Sequence, residues 1–260
     1  MSYFQVRDLN IYYRTNNGLF HAVKNMNFTI DKKDSVGIVG ESGSGKSTFA
    51  LSVLQLLPKR SAKITGQILY NNQNLLECNQ REINKIRWNQ IAFVFQKSMS
   101  ALSPTHKIGQ QMKDIYTVHN KKKKVSEIKE HCLKVLERVD LPSRVYEQYP
   151  HELSGGMMQR VSIALAVLNS PEIVFFDEAT TALDVVVQNK VLEMIMDLED
   201  EYNLTRFMIT HDISTVASTC NKIIVMKDGQ IIEMGDVNQV LLSPKEEYTK
   251  KLINSYINIA

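Results

Sequence analysis

Eight consecutive residues, Gly40-Glu41-Ser42-Gly43-Ser44-Gly45-Lys46-Ser47, constrain this chain more than any other stretch. The run before them, Ser35 to Val39, is apolar without alternation, the pattern of a strand buried on both faces. The run after them carries a helical apolar pattern. A strand must therefore leave the core, bend through a glycine-rich loop and re-enter as a helix. Glycine permits the bend, and the first N–H groups of the new helix are left facing outward, where they suit an anion.

The rest of the chain extends that unit into an α/β fold. Short apolar runs resembling buried strands recur at Ile91 to Phe95, Ile173 to Phe176, Phe207 to Ile209 and Ile223 to Met226, with helical stretches between most of them, which predicts a mainly parallel core sheet. The opening segment reads differently. Phe4 to Val6, Ile11 to Tyr13 and Val23 to Ile30 are β-rich, with Asn-Asn-Gly at 16 to 18 as a turn, so an antiparallel sheet is expected there. Between about Lys97 and Val161 the β runs disappear, and Ile128, Cys132, Val135 and Leu136 recur at helical spacing. The expected organisation is one domain over residues 1–260. An α/β core with an antiparallel β subdomain covers 1–96 and 161–260, and a helical subdomain covers 97–160.

With 260 residues and 43% hydrophobic content, one sizeable core can be buried. The longest apolar stretch, around Val161 to Leu168, falls far short of the roughly 20 residues a bilayer-spanning helix needs. The start, MSYFQVRDLN, lacks the features of a secretory signal, so a cytoplasmic location is expected. Cys78, Cys132 and Cys220 lie far apart without zinc spacing and are read as reduced structural thiols. A net charge of +3, from 31 basic and 28 acidic side chains, is too small for a nucleic-acid-binding field. The dense basic run Lys121 to Lys124 is read as a solvated loop before a helix starting near Ser126, with contact to acidic lipid headgroups as the alternative.

Gly40 to Ser47 fits G-x-x-x-x-G-K-[ST] in the strand-to-helix context that makes this pattern specific, and is a P-loop. Its N–H groups suit phosphates, Lys46 adds a full positive charge, and Ser47 is expected to ligate magnesium. Ile173 to Glu178 is an apolar run ending in two acids, which are costly to bury unless water, a metal or a cation receives them. Asp177 is accordingly expected to hold magnesium through its water shell, and Glu178 to polarise an attacking water as general base. At Leu153-Ser154-Gly155-Gly156-Met157, two glycines open a second helix with N–H groups suited to an anion.

At this point the chain resembles the ABC transporter ATPase family, whose signature is close to Leu-Ser-Gly-Gly-Gln; Leu153 to Gly156 match and Met157 departs. The resemblance implies that Gln96 is the Q-loop glutamine touching magnesium, that Ala182-Leu183-Asp184 is the D-loop, and that His211 is the switch histidine sensing the γ-phosphate. It makes Tyr13 the aromatic that stacks on adenine. ATP and Mg2+ are the implied ligands, with Gly40, Glu41, Ser42, Gly43, Ser44, Gly45, Lys46, Ser47, Thr48, Ser154, Gly155, Gly156 and Asp184 contacting nucleotide. Ala179 stands where the family usually has proline; neither it nor Met157 removes a charged or metal-binding group.

The resemblance continues through Gln96 to Pro104, Tyr149-Pro150-His151-Glu152, Thr181 to Val185 and Leu242 to Lys250, which are similar to the oligopeptide, dipeptide and nickel importer branch. It implies a subunit that hydrolyses ATP to power import of oligopeptides or dipeptides, with nickel or a metal chelate as the alternative cargo. The implied partners are a second ATPase subunit, expected to be a different chain, two membrane permease subunits and an extracellular substrate-binding protein, with no nucleic acid. The implied place is the cytoplasmic face of the cell membrane. The rivals are a soluble ABC ATPase of repair or translation, which long coiled coils or twin cassettes would favour, and a small-metabolite kinase, which shares only the P-loop.

Overall fold

The structure is a computed structural model that describes residues 3–16, 18–95, 102–179 and 184–257. In chain order the elements are β1 (Phe4–Thr15), β2 (Gly18–Ile30), β3 (Ser35–Val39), α1 (Lys46–Val53), β4 (Ala62–Tyr70), β5 (Gln73–Asn74), α2 (Gln80–Ile86) and β6 (Ile91–Val94). There follow α3 (Ile108–His119), α4 (Val125–Arg138), 3-10 turns at Ser143–Glu147 and Pro150–Glu152, α5 (Gly155–Val167), β7 (Ile173–Asp177) and α6 (Val185–Tyr202). The chain ends with β8 (Thr205–Thr210), α7 (Ile213–Thr219), β9 (Lys222–Lys227), β10 (Gln230–Asp236), α8 (Val237–Leu242) and α9 (Glu247–Ile257). Two compact units emerge, one of residues 1–84 with 205–260 and one of residues 85–204.

In the first unit β3 lies between β8 and β9 and runs parallel to both, and β10 returns antiparallel along β9. All five residues of β3 are buried, which is why Ser35–Val39 shows no apolar–polar alternation. A separate antiparallel sheet has the order β2-β1-β4-β5. Phe4, Phe28, Phe49 and Phe207, from β1, β2, α1 and β8, form a ring cluster with centroid separations of 5.4 to 6.5 Å. Phe49 is fully buried there, so the helix that carries the P-loop is anchored by an apolar side chain. Burying such a ring stabilises by roughly 1.5–3 kcal/mol. That anchoring fixes where the loop's backbone can go.

In the second unit β6 and β7 pair in parallel from Ile91↔Ile173 to Val94↔Phe176. Phe93 and Phe175 stack at 6.1 Å. The helical stretch expected after residue 97 is present in α3, α4 and α5. Ile128, Cys132, Val135 and Leu136 form the buried stripe of α4. Burial pushes the Cys132 thiol up to about 12, which leaves it an unreactive core side chain. All three cysteines are free thiols. Lys121 to Lys124 lie in the exposed connection between α3 and α4. Among the described residues no helix is long and apolar enough to cross a membrane.

Candidate nucleotide site

The loop between β3 and α1 depends on two glycines for its path. Gly40 has φ +153°, and a Cβ there would meet the Met226 carbonyl oxygen at 2.1 Å. Gly45 has φ +99°, and a Cβ would meet the Ala22 carbonyl oxygen at 2.6 Å. Any other residue would therefore face both a disfavoured backbone and a collision with main chain that cannot move aside. Gly45 occupies the N-cap position of α1 and, having no side chain, supplies no cap to that helix start. An N-terminus with several N–H groups beyond the reach of intrahelical bonding is suited to phosphate oxygens.

Lys46 is 6% exposed and folds over this loop. Its Nζ donates to the carbonyl oxygens of Gly40 at 2.7 Å and Glu41 at 2.8 Å, and to Ser44 Oγ at 3.3 Å. The loop thus gathers a buried cation and a helix N-terminus at one place, a donor set that fits a polyphosphate. Tyr13, on β1, reaches the same helix start, with its hydroxyl 3.3 Å from Thr48 Oγ1. Tyr13 and Gly40 to Thr48 are therefore brought together in the first unit. His211 follows β8 in that unit and is exposed. The next residue, Asp212, caps α7, accepting from Ser214 N at 2.9 Å, Ser214 Oγ at 2.5 Å and Thr215 Oγ1 at 2.7 Å. Burial works against the Asp212 charge, but these hydrogen bonds outweigh it and hold the carboxyl below its ordinary range.

One partner of the loop went unread in the sequence. Tyr248, on α9, accepts a hydrogen bond from the Glu41 backbone N–H at 3.2 Å. The Lys227 ammonium sits 4.8 Å from the centroid of the Tyr248 ring. The start of α9 is itself held by Glu233, whose carboxylate accepts from the N–H groups of Lys245 and Glu246. A lone tyrosine 207 residues away from the loop carries no local signal of this contact.

In the second unit, β7 ends at Asp177, which is 6% exposed. Glu178 follows at φ 47°, a left-handed conformation uncommon for a residue with a side chain. Leu153 is buried beneath the next feature, where Ser154 caps α5 and its Oγ accepts from Met157 N at 3.3 Å. Gly155 and Gly156 form the first turn of α5. A Cβ on Gly156 would come within 3.1 Å of Val187 Cγ1 on α6. Asp184 caps α6 through Val187 N at 3.0 Å. Gln96, and Ala182 and Leu183 of the D-loop, lie outside the described residues.

Among the described residues no group of three or more His, Cys, Asp or Glu side chains could by itself hold a metal. The Ser47 hydroxyl, in the first turn of α1 of the first unit, and the Asp177 carboxylate, at the end of β7 of the second, are each hard oxygen donors of the kind Mg2+ takes. Magnesium characteristically takes few protein ligands and fills its remaining positions with water and substrate phosphate.

The ABC transporter family profile matches residues 23–181. A probable peptide ABC transporter ATP-binding protein of Sinorhizobium fredii is 42% identical over 96% of this chain and 75% of its own length. The oligopeptide transport ATP-binding protein OppD of Bacillus subtilis is 37% identical over 96% and 71%. Among solved structures, a dimeric ATP-binding cassette in a post-hydrolysis state with ADP and Pi superposes with a TM-score of 0.81 at 29% identity, covering 90% of this chain and 98% of that one. The protein cbiO1 of Clostridium perfringens, part of the ABC transporter complex cbiONQ, superposes with a TM-score of 0.79 at 27% identity, covering 99% and 97%. With a glycine-shaped phosphate loop on a parallel α/β core and a family match spanning more than half its length, the chain belongs to the ABC transporter family, as one of its ATP-binding cassettes.

Proposed function

We propose that this chain hydrolyses ATP to drive the import of oligopeptides or dipeptides, working at the cytoplasmic face of the membrane. The observation that carries the reading is the loop itself. Gly40 and Gly45 admit no side chain, Lys46 is held over the loop by three oxygens, and the N-cap of α1 is a glycine with no capping group of its own. The peptide cargo is supported by the names of the relatives, which are peptide, oligopeptide and dipeptide transport ATP-binding proteins.

In this reading Gly40 to Thr48 cradle the phosphates and Tyr13 stacks on the adenine. Lys46 neutralises charge that develops on the phosphates, so its contribution is largest in the transition state. Ser47, Asp177 and Gln96 would hold Mg2+, which when bound offsets phosphate charge. Glu178 orients water and accepts its proton, and His211 senses the γ-phosphate. Ser154, Gly155, Gly156 and Asp184 act on nucleotide held by a second cassette, expected to be a different chain, so each subunit supplies half of each site. The helical subdomain at 97–160, set into the α/β core at 1–96 and 161–260, carries the movement to two permease subunits. An extracellular binding protein delivers the cargo.

The test is uptake of a labelled oligopeptide and of nickel in cells whose only copy carries Glu178→Gln. Loss of general-base function is expected to slow turnover by on the order of 10²–10⁴-fold while nucleotide binding persists. Loss of peptide uptake alone supports the proposal, and loss of nickel uptake alone replaces the cargo. If both persist, the importer reading fails.

A further inference from the structure

The connection between α3 and α4 forms a basic recess that nucleotide chemistry does not use. It has a volume of about 760 Å³ and is lined by Lys85, Lys121, Lys122 and Lys123 together with Val118 and Glu127. Glu127 is already engaged, accepting from the Lys124 backbone N–H at 2.9 Å at the start of α4. None of the four lysines forms an ion pair among the described residues. Elsewhere in the same unit Lys107, Lys129, Lys134, Arg138 and Arg160 all have carboxylate partners. A concentration of unneutralised ammonium groups is unfavourable to itself and favourable to a polyanion.

Exposed apolar side chains, Val118 lining the recess and Val125 just beyond Lys124, set this connection apart from an ordinary solvated loop. Val118 is 60% exposed and Val125 is 65% exposed, and they bracket Lys121 to Lys124 on either side. A free phosphate would gain nothing from two bare valines. A lipid surface uses both, because the ammonium groups reach anionic headgroups while the valines meet the acyl boundary below them. Membership in a transporter family makes a membrane the nearest such surface.

We propose that the α3–α4 connection, through Lys85, Lys121, Lys122 and Lys123 with Val118 and Val125, binds the anionic headgroups of the membrane surface. The contact holds the helical part of the chain against the bilayer independently of the nucleotide loop. It is strongest at low salt, since exposed charges are screened over roughly 10 Å at 0.1 M.

The experiment is co-sedimentation of the full-length chain with vesicles of phosphatidylcholine alone or mixed with phosphatidylglycerol, for the wild type and for Lys121→Gln/Lys122→Gln/Lys123→Gln. The expected result is selective binding to the anionic vesicles, weakened by salt and by roughly five-fold for each lysine removed. ATP turnover is unchanged in the triple variant, which shows that it is folded. A control carrying Lys59→Gln and Lys63→Gln, exposed lysines of the other unit, binds as the wild type does. Equal binding by the triple variant, or equal binding to neutral vesicles, overturns the proposal. So does displacement from the vesicles by inorganic pyrophosphate at constant ionic strength, which assigns the recess to a soluble anion. Preferential binding of an acidic peptide that vesicles leave in place likewise overturns it, in favour of a protein partner. Since turnover is read separately, failure here leaves the ATPase reading standing.

Discussion

The starts of α1 and α5 both lie within serine-and-glycine sequences, yet they present their backbone N–H groups in different ways. At α1 the N-cap is Gly45 in a left-handed conformation, which has no side chain with which to cap, and Lys46 adds charge at the first position. At α5 the N-cap is Ser154 at an ordinary φ of −68°, its hydroxyl already accepts from Met157 N, and no basic residue stands within the helix before Arg160. On the proposed reading the first is a binding site whose backbone path and charge are set in advance. The second is a well-formed helix start that can add N–H groups to an anion held elsewhere but has little charge with which to hold one. That asymmetry accords with a cassette that captures nucleotide in its own loop and caps the nucleotide of its neighbour.

The largest effect should come from Lys46→Ala. Loss of the buried ammonium is expected to cost on the order of 10²–10³ in ATP turnover, measured at saturating nucleotide, because no other cation lies in that loop's sequence to replace it. If turnover falls less than ten-fold, the contrast with α5 is overstated. Gly45→Ala should come next. Its φ of +99° costs roughly 1–2 kcal/mol for a residue with a Cβ, and the approach to the Ala22 carbonyl adds to that, so both urea stability and nucleotide binding should fall. Full retention of both would remove the conformational half of the argument.

Tyr248→Phe sharpens the comparison from outside the loop. It deletes the acceptor for the Glu41 N–H while keeping the ring over which Lys227 sits. A hydrogen bond of about 1 kcal/mol predicts a KM for ATP raised roughly five-fold with kcat little changed. An unchanged KM would show that the loop holds its shape without α9.

Ser154→Ala should be smaller in stability, about 1 kcal/mol for a lost cap. Nucleotide binding by the isolated chain should be unaltered, with turnover reduced only where two cassettes meet. Weakened binding in the isolated chain would erase the proposed division of labour. The smallest effect concerns a third helix start, α7, capped by Asp212. Because its folded carboxyl titrates below the ordinary range, its contribution is complete above that range and is lost as pH falls through the depressed value. Asp212→Ala should therefore cost about 1 kcal/mol near neutral pH. In urea unfolding that difference should narrow as the pH drops below about 4.

Much of the fold was legible because short-range patterns carried it. The strand at Ser35–Val39 and those near Ile91, Ile173, Phe207 and Ile223 announced themselves as apolar runs bounded by polar residues, and the structure places strands at each. The strand β4 left no such mark. Its residues are mostly half-exposed or exposed until Ile68, and Gly66 interrupts the alternation, so its place beside β1 comes from pairing with a partner nearly sixty residues earlier in the chain. The nucleotide loop was legible from eight contiguous residues. Tyr248 was not, since its contact with Glu41 depends on how β10, α8 and α9 return toward the loop. The basic run at Lys121–Lys124 was visible as charge, but its joining with Lys85 into one recess was not.

The sequence alone determined the phosphate loop, the order of α/β elements and the family, because each rests on spacing between near neighbours and on the backbone freedom of particular glycines. Tertiary structure alone decided which distant side chains steady that loop and which cations stand together without an ion-pair partner among the described residues. Those outcomes depend on packing between elements far apart in the chain, where hydrogen bonds and unneutralised charge are set by proximity in space.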